Sequence, residues 1–291
     1  MSLIGQLIFD GMAMGLVFVL LAAGLVLISS VNKILFMSYC MFYAIGAYAT
    51  WYLIDSWHLP YVVSLVLAVL FIGILGALCY ILIFQRLVRH EGGFLETLIA
   101  SMGLLVILSR AQLFAFGTMA QKIPAVFPGI LSVFGINMAI AKIVLIVIGI
   151  VITIILFWVY EKTKIGRAMR TVAFLPEFAP LAGININQIY LFTMVLGICL
   201  AGIAGGILAP TYGVNPQMGS SILWTVLLMV MLGGMDSLLG AVVGGIVIGE
   251  LLSFGQYYLG ATIQVYIFII IGIILYFRPN GLLGRGIQIE V

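Results

Sequence analysis

Long apolar runs recur along almost the whole chain, and they constrain its fold more than any other feature. A run of about 20 apolar residues has the length of an α-helix that crosses the hydrocarbon core of a bilayer. The breaks between runs predict about nine spans (eight to ten), since 221–254 is interrupted only by Leu232–Gly240. The predicted spans are 10–31, 35–54, 60–84, 96–117, 139–160, 189–209, 221–234, 238–254 and 262–277.

The charge content agrees with a chain that lies in a bilayer. Only 7% of the residues are charged, whereas a soluble domain has about 25%. We therefore predict an all-α, polytopic integral membrane protein with a single transmembrane domain over 1–291. Met1–Ser30 lacks the basic region and cleavage site of a signal peptide, so we interpret it as a retained first span. The net charge of +3 needs no nucleic acid to explain it.

Lysine and arginine collect on one side of this predicted bundle. Basic residues are retained on the cytoplasmic side of a membrane, and two of them, Lys122 and Lys142, fall on the side opposite to the majority. We therefore expect the loop 160–188 and the C-terminus in the cytoplasm and the N-terminus outside. The majority consists of Lys33, Arg86, Arg89, Lys162, Lys164, Arg167, Arg170, Arg278 and Arg285.

The directions of the spans fit an inverted repeat. If the fifth span is a linker, spans six to nine run opposite to spans one to four, an arrangement common in transporters. Met41–Thr50 in the second span resembles Leu228–Ser237 in the seventh, because both are apolar turns that end on small residues. A general likeness between glycine-containing membrane helices explains this similarity equally well.

Glycine and alanine recur every three or four residues in Gly197–Pro210 and Gly233–Glu250. Small residues let helix backbones approach closely inside a membrane, so we expect these helices to pack against protein. Irregular backbone at membrane depth is tolerated where it is buried or lines a cavity. This favours a place in the translocation pathway for the residues that interrupt the second stretch, Gly233, Gly234 and Asp236.

Two charged residues fall inside predicted spans and away from the span starts, Arg110 in the fourth and Glu250 in the eighth. A charge that faces lipid is costly. We expect these side chains to face protein or water, either as a pair or by reaching the outer interface.

Motifs for catalysis and nucleotide binding are missing from the sequence. Lys162-Thr163 follows a glutamate rather than a glycine, so the chain has no phosphate-binding loop. Metalloprotease and nucleophile-elbow motifs are missing too, as are conspicuous proton relays within the spans. We expect no enzymatic activity, no cofactor or metal bound by this chain, and a partner that supplies the energy for uphill transport.

The loop 160–188 concentrates charge in an otherwise apolar chain. Lys162, Lys164, Arg167 and Arg170 lie within nine positions of one another. Basic clusters at the edge of a span are attracted to the anionic inner leaflet. We interpret these four side chains mainly as an anchor of this segment at the membrane surface.

From Lys162 onward the sequence resembles the permeases of branched-chain amino acid ABC transporters. The loop reads KTKIGRAMRTVAFLPEFAPLAGIN, and a Gly/Ala-rich span follows it. Three further landmarks of that family follow in order, YGVNPQMG (Tyr212–Gly219), VMLGGMDSLLGAVVGGIVIG (Val230–Gly249) and RPNGLLG (Arg278–Gly284). The N-terminal half agrees more loosely, in IGAY (Ile45–Tyr48) and in a basic loop after the third span.

The resemblance implies a short cytoplasmic coupling helix that inserts into an ATP-binding subunit. Pro176 suits the first turn of such a helix, Glu177 its positive end and Gly183 its stop. Phe178 and Leu181 suit an apolar side pressed into the partner. The implied partners are a homologous second permease, two subunits that use ATP, and an extracytoplasmic solute-binding protein, in a bacterial or archaeal inner membrane.

The sequence departs from the family pattern in two places. Leu175 stands where the family usually has an aspartate cap, and Pro180 removes a backbone donor, so we expect a shortened or bent coupling helix. The family often has polar residues where this chain reads FMSYCM (Phe36–Met41), which predicts altered pathway chemistry. The pathway candidates are Tyr39, Met41, Tyr43, Gly233, Gly234 and Asp236.

These observations together predict the permease subunit of an ATP-driven importer that works by alternating access. Branched-chain or other hydrophobic amino acids are the first expected solutes, and an amide, urea or a carboxylate is the alternative. Two other classes stay open, a secondary carrier or channel that works alone and a membrane assembly protein without transport. A protonophore would abolish uptake by the carrier, and the assembly protein would carry no flux.

Overall fold

The computed structural model describes residues 2–89, 93–123, 129–133 and 136–284. Within these ranges the chain is helical apart from two paired antiparallel strands, β1 (Ile130–Val133) and β2 (Ile136–Ala139). A π-helical turn, Tyr80–Phe84, joins α3 to α4. The helices are α1 (Ser2–Asn32), α2 (Tyr39–Trp57), α3 (Tyr61–Cys79), α4 (Gln85–Arg89), α5 (Phe94–Phe116), α6 (Ile140–Lys162), α7 (Lys164–Phe174), α8 (Ile186–Tyr212), α9 (Met218–Gly233), α10 (Leu238–Leu259) and α11 (Ile263–Phe277).

A helix lies at the position of each predicted span, so the all-helical fold class is confirmed. Within the described ranges, six helices are long and apolar enough to cross a membrane, while α9 and α11 are shorter apolar helices. The number of nine spans therefore stays a prediction. The predicted boundaries depart most from the observed helices at α1, which already begins at Ser2, and at α10, which continues to Leu259.

The ambiguous stretch 221–254 forms two helices. Gly234 ends α9 with a φ of +104°, a conformation that favours glycine. Ser237 then caps α10, because its hydroxyl accepts a hydrogen bond of 3.0 Å from the Gly240 amide. Gly233 and Asp236 thus lie where two helix ends meet, as the division into spans 221–234 and 238–254 predicted.

Helix α1 lies at the centre of the bundle and packs against α6, α8, α9 and α10. In its most apolar window 89% of the residues are buried, against 17% in α5 and in α6. Helices α3, α5, α6 and α11 accordingly expose long apolar side chains, as suits contact with lipid tails. The core of the protein is therefore formed by α1, α2, α8 and α10.

Glycines bring these central helices into backbone contact. A Cβ atom on Gly249 of α10 would lie 2.3 Å from the Cα of Gly15 in α1. Gly205 of α8 approaches the carbonyl of Tyr43 in α2 even more closely. The prediction that the small-residue stretches pack against protein is confirmed. The backbone of a neighbouring helix occupies the space that a larger side chain would fill at these glycines.

The two ends of the bundle differ in their polar contacts. One end, called the charged end below, comprises the C-terminal ends of α1, α6 and α9, the N-terminal end of α10, α7 and the segments 175–185 and 278–284. Lys33 and Asp236 form an ion pair of 4.0 Å there. At the opposite end, Lys142 of α6 donates a hydrogen bond of 2.6 Å to Asp10 of α1.

The two charged residues inside predicted spans are not paired with each other. Arg110 is exposed on α5, whereas the Glu250 carboxylate in α10 lies against Gly11 of α1. Among the described residues no ion pair joins them. The close approach of Glu250 to a glycine explains how its side chain fits between two central helices.

The two similar stretches that suggested an inverted repeat lie at different structural positions. Met41–Thr50 lies within a continuous helix, shortly after the start of α2. Leu228–Ser237 instead covers the end of α9 and the turn that follows it. The inverted repeat itself stays a prediction.

Candidate coupling surface and pathway residues

Helix α7 lies along the charged end with one buried side. Its buried residues, Gly166, Met169, Val172 and Ala173, follow the spacing of an amphipathic helix. Position 166 requires a glycine, because a Cβ there would collide with the backbone carbonyls at the end of α6. The amide of Gly166 also donates a hydrogen bond of 3.1 Å to the Thr163 hydroxyl, which caps α7. The helix is thereby held at a fixed position against the end of α6.

Arg170 connects α7 to the end of α6. Its guanidinium donates hydrogen bonds to the carbonyls of Tyr160 and Glu161, the latter at 3.2 Å, and lies 5.2 Å from the centroid of the Tyr160 ring. A cation at this place satisfies carbonyls that a helix end leaves unpaired. Arg170 therefore has a structural contact that its charge alone did not predict, whereas Lys164 and Arg167 are exposed and Lys162 lies at the end of α6. Anchoring of the four basic residues at the membrane surface stays a prediction.

The substitution Arg170→Met will destabilise this corner by about 1–3 kcal/mol, because hydrogen bonds from a charged donor to helix-end carbonyls are lost. The measurement is the thermal midpoint of the purified protein in detergent. Arg167→Met, which removes an exposed cation one turn earlier, is the matched control and should leave the midpoint unchanged. Equal midpoints for the two variants would contradict the assigned contact.

The segment after α7 forms consecutive turns rather than a regular α-helix. The amides of Phe178 and Ala179 bond back to the carbonyls of Leu175 and Pro176, and a three-residue 3₁₀-helix, Pro180–Ala182, follows. The expected shortening is confirmed, since Pro180 has no amide hydrogen for an α-helical bond.

Gly183 ends this segment as predicted from its position. Its φ is +72°, and its amide donates to the Pro180 carbonyl at 3.0 Å. The next amide, of Ile184, donates to the Ala179 carbonyl at 3.1 Å, which completes a glycine-terminated Schellman motif. Ala179 is fully buried, so the turn is anchored to the bundle through this residue.

Around that anchor the turn exposes apolar side chains. Leu181 is 83% exposed and Phe178 is 58% exposed. Exposed apolar patches of this kind mark interaction sites. We define the coupling surface as the exposed residues Phe174, Leu175, Pro176, Glu177, Phe178 and Leu181.

Sequence reasoning missed Phe174 and Leu175 as members of this surface. Leu175 replaces the usual aspartate of the family, and it was interpreted only as a lost helix cap. Its apolar character beside Phe178 was the signal that could have found it, because both side chains flank the same Pro-Glu pair.

A cleft of about 450 Å³ adjoins α7 at the charged end. Polar groups of Glu161, Lys162, Arg170 and Asp236 line it together with Phe174, which also belongs to the coupling surface. A second cleft of about 170 Å³ lies on the other side of Asp236 and is bounded by Pro279 and Asn280. Asp236, a pathway candidate, thus lies between two surface clefts.

Two family landmarks meet beside these clefts. The amides of Leu282 and Leu283 donate hydrogen bonds of 2.7 and 3.2 Å to the carbonyls of Leu232 and Gly233. The segment RPNGLLG therefore supplies the donors that the end of α9 lacks. Gly233 takes part in this contact through its carbonyl. Gly234 permits the close approach, because a Cβ on it would lie 2.5 Å from the Cα of Gly284.

The other pathway candidates are buried in the bundle. Tyr39, Met41 and Tyr43 are each at most 1% exposed. The Tyr39 hydroxyl donates a hydrogen bond of 3.2 Å to the Gly197 carbonyl in α8. None of these three side chains lines either cleft at the charged end, so the structure does not bring them together with Gly233, Gly234 and Asp236.

A bundle of long apolar helices with an exposed apolar turn beside a basic helix at one end defines a multi-pass membrane protein. The family model for the permease component of branched-chain amino acid transport systems matches residues 7–278. The chain belongs to this family.

Individual relatives cover almost the whole chain. The high-affinity branched-chain amino acid transport system permease protein BraD of Pseudomonas aeruginosa is 27% identical over 96% of this chain and 95% of its own length. The corresponding LivH protein of Escherichia coli strain K12 is 26% identical with the same coverage. A probable LivH permease of Methanocaldococcus jannaschii is 34% identical over 39% of this chain and 36% of its own length. No solved structure matches the chain significantly.

Proposed function

We propose that this chain is the membrane-spanning subunit of an ATP-driven importer of branched-chain or other hydrophobic amino acids. Family membership supports transport, and the relatives named above are described as permeases for branched-chain amino acids. The observation that carries the coupling to a partner is the coupling surface, where Leu181 is 83% exposed outside any span. An isolated carrier has no need for such a surface.

The charged end is the cytoplasmic end in this proposal. Lys33 and Arg278 belong to it together with the basic residues of α6 and α7. Arg86 of α4 lies near it, since the ring of the preceding Phe84 contacts Phe36 close to the end of α1. Lys122 and Lys142 lie at the opposite end. The retention of basic residues in the cytoplasm supports this orientation. With nine spans, the N-terminus is then outside and the C-terminus inside, in a bacterial or archaeal inner membrane.

Two ATP-binding subunits, a homologous second permease and an extracytoplasmic solute-binding protein complete the proposed importer. Closure of the ATP-binding subunits moves the coupling surface, through Pro176, Glu177, Phe178, Leu181 and the stop at Gly183. Arg170 and Ala179 tie this surface to α6 and to the bundle, which supports a rigid connection from the partner to the spans. The solute cavity then opens alternately to each side.

The remaining candidate residues receive roles in this cycle. Gly233, Gly234 and Asp236 form the turn between the two clefts, and we assign them to the cytoplasmic exit. Tyr39, Met41 and Tyr43 lie where α2 meets α8 and α9, as the contacts of Tyr39 with Gly197 and of Met41 with Gly219 indicate. We assign them to the helix contacts that change when the cavity opens.

Copurification from native membranes tests the proposal. The solubilised wild-type protein should bring with it ATP-binding subunits and a second permease, and vanadate should abolish uptake of radiolabelled L-leucine by intact cells. If the protein is purified alone, and a protonophore rather than vanadate stops uptake, the importer proposal fails and a solitary carrier replaces it.

A further inference from the structure

An aromatic cluster lies at the opposite end of the bundle, between α2 and α5. The rings of Tyr48 and Phe116 are stacked with a centroid distance of 4.4 Å. Trp51 meets both rings edge to face, at 6.3 and 6.4 Å. Tyr48 is fully buried at the centre of this cluster, while Trp51 and Phe116 are half-buried.

The same two helices, α2 and α5, carry buried polar atoms without partners in the described ranges. Gln112 is 3% exposed, and among the described residues neither its Oε1 nor its Nε2 has a hydrogen-bond partner. The Tyr48 hydroxyl is buried and lacks a partner within the same part of the chain. Unpaired buried polar atoms are costly and call for an explanation, such as a ligand.

The helix register places Gln112 and Tyr48 at the same depth. The Ser101 hydroxyl of α5 donates to the Leu35 carbonyl at 3.2 Å and accepts from the Met37 amide at 3.0 Å, just before α2 begins. Because Tyr48 and Phe116 meet further along the same two helices, α2 and α5 run the same way. Gln112 lies 11 residues beyond Ser101 and Tyr48 lies 11 residues beyond Met37, about 16 Å along each helix. Gln112 is also one turn from Phe116, the stacking partner of Tyr48.

A short segment covers the cluster. Gln121 and Val214 exchange two backbone hydrogen bonds of 2.8 Å each, and we call this reciprocal pair the latch. Ile123 and Val214 are buried against Tyr48. Gly117 and Gly213, with φ of +76° and +75°, lie on the two chain segments that the latch joins, where glycine permits rotation without strain.

The chemistry of this site fits a small polar molecule with an apolar part. The Gln112 amide offers both a donor and an acceptor, and the Tyr48 hydroxyl offers the same. The ring faces accept an ammonium group or an apolar side chain. We propose that Gln112 and Tyr48 bind the amino or carboxylate group of a zwitterionic, apolar solute, and that the latch opens to admit it; this rests on the proposed function.

The latch is tested by closing it reversibly. Gln121 and Val214 form a hydrogen-bonded antiparallel pair, for which the Cα atoms lie about 5.5 Å apart, within the range of a disulfide. In the Gln121→Cys, Val214→Cys variant, oxidation should lower uptake of radiolabelled L-leucine at least about tenfold, and a reductant should restore it. The two single cysteine variants are the controls. If the cross-linked protein transports leucine as fast as the same variant with its disulfide reduced, the proposed opening of the latch is wrong.

The binding site is tested by Gln112→Leu, which keeps the size of the side chain and removes the orphaned amide. We expect leucine uptake to fall at least about tenfold while the thermal midpoint is unchanged or higher, since no internal hydrogen bond is lost. Uptake at the wild-type rate would overturn the site. A fall of both uptake and midpoint would also overturn it, because the amide then holds a structural partner such as a bound water.

A third readout separates this inference from the proposed function. A thiol in the Gln112→Cys variant should react with a membrane-impermeant maleimide added outside, and L-leucine should slow the reaction. If wild-type cells take up no leucine, the proposed function fails, while labelling of this thiol still reports whether the site opens outward. The absence of labelling in cells that take up leucine would exclude outward opening at Gln112.

Discussion

The double substitution Glu177→Lys, Phe178→Asp will separate this permease from its ATP-binding subunits without unfolding it. Both side chains are exposed, so neither is needed in the core. In the proposed complex they lie in an apolar contact, where a lost aromatic anchor typically costs about 2 kcal/mol or more, about thirtyfold in affinity. The recovery of ATP-binding subunits in quantitative copurification should fall to background, and leucine uptake should be lost with it.

Asn187→Lys is the matched control for this variant. Asn187 is exposed near the start of α8 and outside the coupling surface, so the substitution adds a positive charge without touching the surface. The second permease should still copurify with the double variant, because the proposal assigns the coupling surface to the ATP-binding subunits alone. Full recovery of the ATP-binding subunits with the double variant would refute the assigned coupling surface.

Local sequence patterns predicted much of this molecule. Each apolar run forms a helix, because backbone groups in a bilayer must be satisfied within the segment. Gly183 was predicted as the stop of the short helix that the family resemblance implies, and its left-handed conformation agrees with an end of the segment there. The same is true of Pro180, whose missing donor shortens the turn. These features depend on a few neighbouring residues.

Contacts between distant parts of the chain could not be predicted in this way. Arg170 was interpreted by its charge alone, because nothing in the loop sequence shows that the end of α6 folds back against it. The position of Asp236 beside Lys33 likewise depends on how α1 and α9 pack. The unpaired, buried amide of Gln112 could not be predicted, since the position of one glutamine in an apolar run does not indicate whether it is buried.

The substitution Gly249→Val will have the largest effect on stability of any single change considered. A Cβ at this position would lie 2.3 Å from the Cα of Gly15, 2.6 Å from its nitrogen and 2.8 Å from the Gly11 carbonyl oxygen. All three atoms belong to the backbone of α1, which cannot rotate away as a side chain could. Forcing α10 off α1 should cost about 3 kcal/mol or more, measured as a lower thermal midpoint and a loss of monodisperse protein in detergent.

Gly103→Val provides the control, because it adds the same side chain to a helix in open space. A Cβ on Gly103 of α5 would have no neighbouring atom within 4 Å, and a valine there extends an apolar surface that faces outward. The variant should retain the wild-type midpoint, since no backbone contact is displaced. Gly249→Ala should fall between the two variants, because its Cβ already collides with α1 while the two further methyl groups are absent. Equal midpoints for Gly249→Val and Gly103→Val would mean that α1 and α10 do not depend on this close approach.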